Sequence, residues 1–407
     1  MQLDLFSSIN YKRLTEELFQ AYFDCRKNKR NTHNALQFEK QLEQNVFDLI
    51  DEIYNDNYKV GRSIAFIVNS PVKREVFAAD FRDRVVHHWL INKLNPLFEN
   101  LFIQDSYACR AGKGTHYGIK RVDTFIKTCS VNYTNDCYIL KLDIQGFFMH
   151  INRTILFSAL VRYIMENYSF SDKELVVKIS MQIVFNDPTK NCLIKGNRKQ
   201  WDGLPKNKSL FHSPPGCGLP IGNLTSQVFA NFYMHWFDAF VTKELGIKYY
   251  GRYVDDFIIL HGDKDFLKNL IPKFSEFLHS TLQLTLHPKK IYLQHYSKGV
   301  KFLGTVIKPN RIYIANRTKG NFYLAIHKQN EIIKLRKPMK EDIDRFLSSM
   351  NSYLGILIHY KTYRVRRIII SKNISKEWYK YVYLDEGFSK FSRCKKNEKN
   401  NKNEKKE

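Results

Sequence analysis

Features that would tie the chain to a secreted, membrane or zinc-dependent class are scarce. Its 407 residues include seven cysteines: Cys25, Cys109, Cys129, Cys137, Cys192, Cys217 and Cys394. The number is odd, the positions are scattered and no CxxC or Cys/His cluster occurs. That pattern argues against a disulfide framework and against a structural zinc. The opening MQLDLFSSINYKRL lacks the apolar core of a signal peptide, and no apolar run is long enough to span a bilayer. A cytoplasmic protein without membrane contact is therefore expected. No internal repeat is visible. Acidic residues are also short: 40 Asp and Glu face 65 Lys and Arg, a net charge of +25. An excess spread along the chain suits a long polyanion better than a small acidic metabolite. A Lys-rich soluble surface from an AT-rich genome is the plainer alternative.

What is present describes a globular protein. Hydrophobic residues make up 43% of the chain and aromatics 14%, and the length leaves room for two or three subdomains. Residues 9–55 read as helices, with Leu14, Leu18 and Tyr22 at i, i+4 spacing. The basic stretch CRKNKRNTHN (25–34) interrupts them as a candidate phosphate contact. Short strands are expected over 58–79 and a helix with an acidic N-terminus over 80–102. A buried strand follows over 137–148, then a helix from about 152. Residues 185–217 are polar and rich in turn formers, which predicts a loop or flap. An amphipathic helix over 223–245 leads to two strands around a tight turn (248–261) and a helix (265–281). Further strands run to about 315. The mixed order without regular βαβ alternation indicates α+β.

From 318 to 383 the pattern is helical and basic, as in YKTYRVRRIIISK. The end is low in complexity, and residues 388–407 are expected to form a disordered basic tail. The implied organisation is a helical region over 1–57, a main body over 58–315, a helical unit over 316–387, and the tail.

The chemistry concentrates in carboxylates. RYVDDFIIL (252–260) places Asp255 and Asp256 side by side in an apolar run, where ionised carboxylates repel each other and resist burial. A bare pair of aspartates is usually an exposed turn. Here Asp143 ends another apolar strand, in LKLDIQGFF, about 110 residues upstream. One strand end and one hairpin tip can together offer hard oxygen ligands to divalent cations, which would offset the repulsion.

The surroundings of these aspartates resemble a family. YVDD (253–256) is similar to the signature of reverse transcriptases, and other blocks match in order: PVKREVFAADFRDRVVHHWL, DSYACRAGKGTHYGIKRV, LKLDIQGFFMHIN, GCGLPIGNLTSQVFANFYMHWFD, then LHPKKIYLQ and KGVKFLGTVI. The resemblance covers about residues 25–360. It implies a right-hand polymerase fold with fingers and palm over 58–315 and a helical thumb over 316–387. It further implies an RNA-directed DNA polymerase using two Mg²⁺ ions, with Mn²⁺ as a substitute. Asp143, Asp255 and Asp256 would be catalytic, and these three with Ile144 would form the metal site.

The same resemblance assigns nucleotide-binding roles. Lys73 and Arg74 would clamp the triphosphate, since Arg suits bidentate phosphate contact. Phe148 would exclude a ribose 2′-hydroxyl, core packing being its alternative. Gly222 would let backbone approach the nucleotide. Ile221 and Gln227 flank the fourth block, and Lys289 or Lys290 would approach the pyrophosphate. Ile221 and Gln227 depart from the Gln-Gly…Ser-Pro form of the wider family. The variant resembles bacterial reverse transcriptases of diversity-generating retroelements and their relatives in anti-phage defence. Expected partners are an RNA template, primer and dNTPs, a specific non-coding RNA, and a small accessory protein or a second reverse transcriptase. No endonuclease signature follows the thumb, so a self-sufficient mobile intron protein is not expected. The alternatives are an inactive palm protein that binds structured RNA and an RNA-polymerising palm.

Overall fold

The computed structural model describes residues 10–27, 32–69 and 72–394. They divide into two compact units. One comprises residues up to Gly114 together with Tyr138–Leu293; the other comprises Thr115–Cys137 together with residues from Gln294 on.

The first unit opens with α1 (Tyr11–Arg26), α2 (His33–Glu39) and α3 (Leu42–Tyr54). Asn10 caps α1 by accepting from the Arg13 N–H at 3.0 Å, and Leu14, Leu18, Tyr22 and Cys25 form its buried stripe. Strands β1 (Ile64–Val68) and β2 (Arg74–Ala78) pair antiparallel and lead into α4 (Phe81–Leu101). Asp80 caps α4. Val85, Val86, Trp89, Leu90 and Phe98 bury nearly all of their surface there, which makes α4 a core helix.

The helix α5 (Thr115–Cys129) belongs to the second unit. The first resumes with β3 (Tyr138–Asp143), α6 (Phe147–His150), α7 (Arg153–Asn167) and α8 (Lys173–Phe185). The segment expected as a loop or flap is only partly irregular. Its strand β4 (Leu193–Ile194) pairs parallel with β1, and three short 3₁₀ turns follow before residue 213. Next come α9 (Leu224–Ala239), which passes into a π-helical turn at Phe240–Glu244, β5 (Tyr249–Tyr253), β6 (Asp256–His261) and α10 (Lys264–Leu282). With β7 (Tyr292–His295) they complete a sheet of order β5-β6-β3-β7. Phe257, Ile258, Ile259 and Leu260 are all buried, so β6 is covered on both faces. One core joins Leu140, Leu142 and Phe257 of the sheet to Phe232 and Phe237 of α9 and Phe98 of α4.

The second unit adds β8 (Val300–Phe302), β9 (Thr305–Lys308) and β10 (Arg311–Ile314) in one antiparallel sheet. Three helices follow, α11 (Asn316–Leu335), α12 (Lys340–Leu357) and α13 (Tyr363–Asn373). They share a core built on Phe322, Phe346, Met350, Ile370 and Trp378. The first residues of the expected tail are ordered chain. Strands β11 (Val382–Leu384) and β12 (Phe391–Arg393) form a hairpin, because Phe391 packs edge-on to Phe346 at 5.2 Å and is 1% exposed. The rest of the expected tail, from residue 395, lies outside the described residues. Among the described residues no helix is long and apolar enough to cross a membrane.

Candidate active site

The three aspartates sit where two central strands end. In the β3–β6 ladder Asp143 lies directly opposite Asp256. Such cross-strand neighbours place Cβ atoms about 4.5–5.5 Å apart, and like charges there repel. Val254 and Asp255 form the two-residue turn between β5 and β6, closed by the Tyr253–Asp256 pair. Val254 takes φ +58°, a conformation uncommon for a β-branched residue.

Two lysines face this acidic cluster. Lys141 Nζ lies 3.0 Å from Asp256 Oδ2, and Lys290 Nζ lies 2.8 Å from Asp143 Oδ1. Asp256 Oδ1 is buried without a hydrogen-bond partner. Burial and then the Asp143 charge push the Asp255 carboxyl up to about 6, and burial raises Asp256 as well. Clustered, partly desolvated carboxylates with an orphaned oxygen are chemically suited to hard cations. As positioned beside the two lysines, no three acidic, imidazole or thiol groups among the described residues converge closely enough to hold one metal ion.

The remaining expected residues lie on elements of the same unit. Lys73 Nζ donates to the Asp202 carbonyl at 2.6 Å, while Arg74 opens β2 and is exposed. Phe148 is half-buried and packs against both the main core and a small cluster of Ala65, Phe77, Met149 and Leu210. Ile221 joins that small cluster, and its carbonyl accepts from the Phe77 N–H at 2.8 Å. Gln227 is exposed, and its Oε1 accepts from Cys109 Sγ at 3.0 Å. Ile144 is buried next to Asp143.

The structure adds to four sequence expectations. Gly222 has a structural reason independent of any nucleotide. Its φ is +125°, and a Cβ there would stand 2.7 Å from Val76 Cγ1 and 3.1 Å from the Phe77 carbonyl, so β2 itself requires glycine. Of the two adjacent lysines, Lys290 reaches Asp143; Lys289 is exposed and donates its backbone N–H to His287 Nδ1 at 3.2 Å. In the stretch YRVRRIIISK, Arg366 is buried and donates to the Gly387 and Phe388 carbonyls. It anchors the terminal hairpin, while Arg364 and Arg367 stay exposed. Within the basic stretch 25–34, Arg26 is paired with Glu39 at 2.9 Å, and residues 28–31 lie outside the described residues.

Two buried anchors escaped the sequence reading. Glu75 is 1% exposed. It accepts from Trp201 Nε1 at 2.6 Å, Ser209 Oγ at 2.7 Å and the Leu210 N–H at 2.5 Å, so β2 grips the segment after β4. Arg252, in the signature stretch itself, is wholly buried and forked onto Asp238 of α9 at 2.7 and 2.6 Å. The signal for Arg252 was a charged residue inside an otherwise apolar strand.

The family model for reverse transcriptase (RNA-dependent DNA polymerase) matches residues 73–307, more than half of the chain. An uncharacterized 91 kDa protein in the cob intron of Schizosaccharomyces pombe is 22% identical over 378 residues, 77% of this chain and 42% of that protein. Nuclear intron maturase 1, mitochondrial, from Arabidopsis thaliana is 22% identical over 313 residues, 59% of this chain and 42% of that protein. The chain thus spans 42% of the length of each of these curated relatives. Among solved structures, apo telomerase from Candida tropicalis aligns at 14% identity with a TM-score of 0.48, over 79% of this chain and 59% of that one.

The site and its surroundings define a palm of the polymerase type. The chain belongs to the reverse transcriptase family, and its α+β architecture is that family's right-hand polymerase fold.

Proposed function

We propose that this chain is an RNA-directed DNA polymerase that copies an RNA template into cDNA from dNTPs. The observation that carries the reading is the juxtaposition of Asp143, Asp255 and Asp256 at the ends of β3 and the β5–β6 turn. Asp143, Asp255 and Asp256, with Ile144 alongside, would hold two Mg²⁺ ions or Mn²⁺ in their place once the carboxylates draw together and exchange Lys141 and Lys290 for the cations. Such ions would supply the Lewis acidity that lowers the pKa of a primer 3′-hydroxyl and offsets charge on a leaving pyrophosphate. Lys290 and the pair Lys73 and Arg74 supply positive charge for the triphosphate. Phe148 screens the sugar 2′-position, and Ile221, Gly222 and Gln227 line the approach to the template and nucleotide. The segment after α8 exposes Lys190, Lys195, Arg198, Lys199, Lys206 and Lys208, a surface suited to sequence-tolerant phosphate contact.

The residues around Ile221 and Gln227 favour a role in a diversity-generating retroelement or in anti-phage defence, with a dedicated RNA and a small accessory protein or second reverse transcriptase. The intron-associated names of the two curated relatives favour a second reading, an intron RNA-binding role in which polymerisation is dispensable. The test is primer extension on a defined RNA template with dNTPs or NTPs, beside sequencing of the RNA that co-purifies. The wild type should extend with dNTPs, and Asp255→Asn should lose activity by orders of magnitude while remaining folded. Undiminished extension by Asp255→Asn would refute the carboxylate assignment. Bound intron RNA with no extension would support the second reading.

A further inference from the structure

The turn that carries Asp255 is held in an unfavourable backbone conformation, and one buried side chain is wired to it. Val254 sits at φ +58°. Left-handed backbone is unfavourable for a residue bearing a Cβ and persists where surrounding groups over-determine it. Here the over-determining group is visible. Arg252 Nη1 donates to the Val254 carbonyl at 3.0 Å. The same nitrogen reaches Asn231 Oδ1 at 3.2 Å, and Nη2 reaches Ser106 Oγ at 3.3 Å. Nε and Nη2 fork onto the two oxygens of Asp238, and Tyr250 donates its hydroxyl to Asp238 Oδ1 at 2.7 Å. The guanidinium therefore has no freedom to turn away from Val254.

We infer that Arg252 and Asp238 form a positioning lock that holds Val254 in its left-handed conformation and so aims the Asp255 carboxylate at the same turn. The inference rests on the polymerase reading. Neither residue touches substrate; both act through the Val254 carbonyl. Lysine cannot replace the arginine, because a single ammonium cannot fork onto Asp238 and reach Val254 together.

The test uses the full chain. Removing Arg252 alone would leave Asp238 buried and unpaired, which can unfold a protein. The informative variant is Arg252→Met with Asp238→Asn, which leaves no buried charge and keeps an acceptor for Tyr250. It should melt cooperatively near the wild-type temperature. Its kcat for primer extension should fall about ten- to hundredfold, the scale of one lost hydrogen bond from a charged donor, while KM for dNTP stays within about threefold. Adding Val254→Gly, which removes the left-handed penalty, should recover part of that kcat, although Val254→Gly alone brings no gain. Wild-type kcat in the double variant would overturn the lock. So would Val254→Gly acting by the same factor in both backgrounds, since a merely structural pair would not couple to Val254. Should the double variant fail to fold, Arg252→Lys carries the same prediction. If the wild type extends no primer, the polymerase reading fails by itself. The lock is then read from amide exchange at Asp255 and Asp256, which should quicken in the double variant and would refute the lock if unchanged.

Discussion

Glu75 offers a perturbation whose size follows from the geometry. Its carboxylate is the shared acceptor for Trp201 Nε1, Ser209 Oγ and the Leu210 N–H. Replacing it with alanine strips three donors of their partner, two on the buried residues Ser209 and Leu210 and one on the half-buried Trp201. Each unsatisfied buried donor costs about 1–3 kcal/mol. The three would not be lost additively, because the segment can lift and rehydrate, so a net cost of about 3 kcal/mol is expected. The strain should be relieved locally. Residues 198–212 are short 3₁₀ turns with mostly exposed side chains, held otherwise by the small cluster that Leu210, Trp201 and Phe211 join, so they can open apart from the main core. At 1.4 kcal/mol per tenfold, the open population should rise about a hundredfold. Limited trypsin digestion measures this directly, since cleavage of a transiently open segment tracks its population and Arg198, Lys199 and Lys206 are exposed cut sites. Glu75→Ala should be nicked there about a hundred times faster than the wild type, with Glu75→Gln between the two. Because Lys73 is tied to the Asp202 carbonyl of the same segment, KM for dNTP should also rise more than kcat falls. Cleavage of Glu75→Ala at the wild-type rate would refute the anchor argument.

Other outcomes are equally open to measurement. Phe148→Ala should raise the ratio of ribo- to deoxynucleotide incorporation sharply in competition assays; an unchanged ratio would leave Phe148 as packing between the two clusters it touches. Burial lifts the Asp83 carboxyl to about 6, although the Tyr58 hydroxyl at 2.9 Å, the Arg82 charge and the Gly61 N–H at 2.9 Å pull it down. A raised carboxyl is favoured while protonated, so Asp83 costs the fold nothing below about pH 4 and up to about 3 kcal/mol above pH 6. Denaturant melts should show wild-type stability gaining on Asp83→Asn as pH falls from 7 to 4, and parallel pH profiles would contradict that burial. Truncation after Cys394 should leave the melting temperature unchanged. Truncation before Phe391 should lower it, since losing a buried Phe costs about 3–5 kcal/mol; equal melting of the two would show that the terminal hairpin adds nothing.

Much of this protein was legible in one dimension. Apolar periodicity placed α4, α9 and α10 and the β5–β6 hairpin to within a few residues, because 3.6- and 2-residue repeats state which face must leave water. The ordered blocks around Asp143 and YVDD pointed to the family that the comparison identifies. Composition also misled, most clearly at β12, where a basic surrounding hid Phe391, which is buried in a core that Phe388 also packs against. Only the folded chain shows that Lys290 rather than Lys289 reaches Asp143, that β2 demands Gly222, and that Arg366 is an anchor. The Arg252 network joins residues 14 and 146 positions apart, and Glu75 gathers donors more than 120 positions away. Such bonds depend on where the chain returns in space. Local alternation of apolar and polar residues carries no record of that, because it reports only which way each side chain faces.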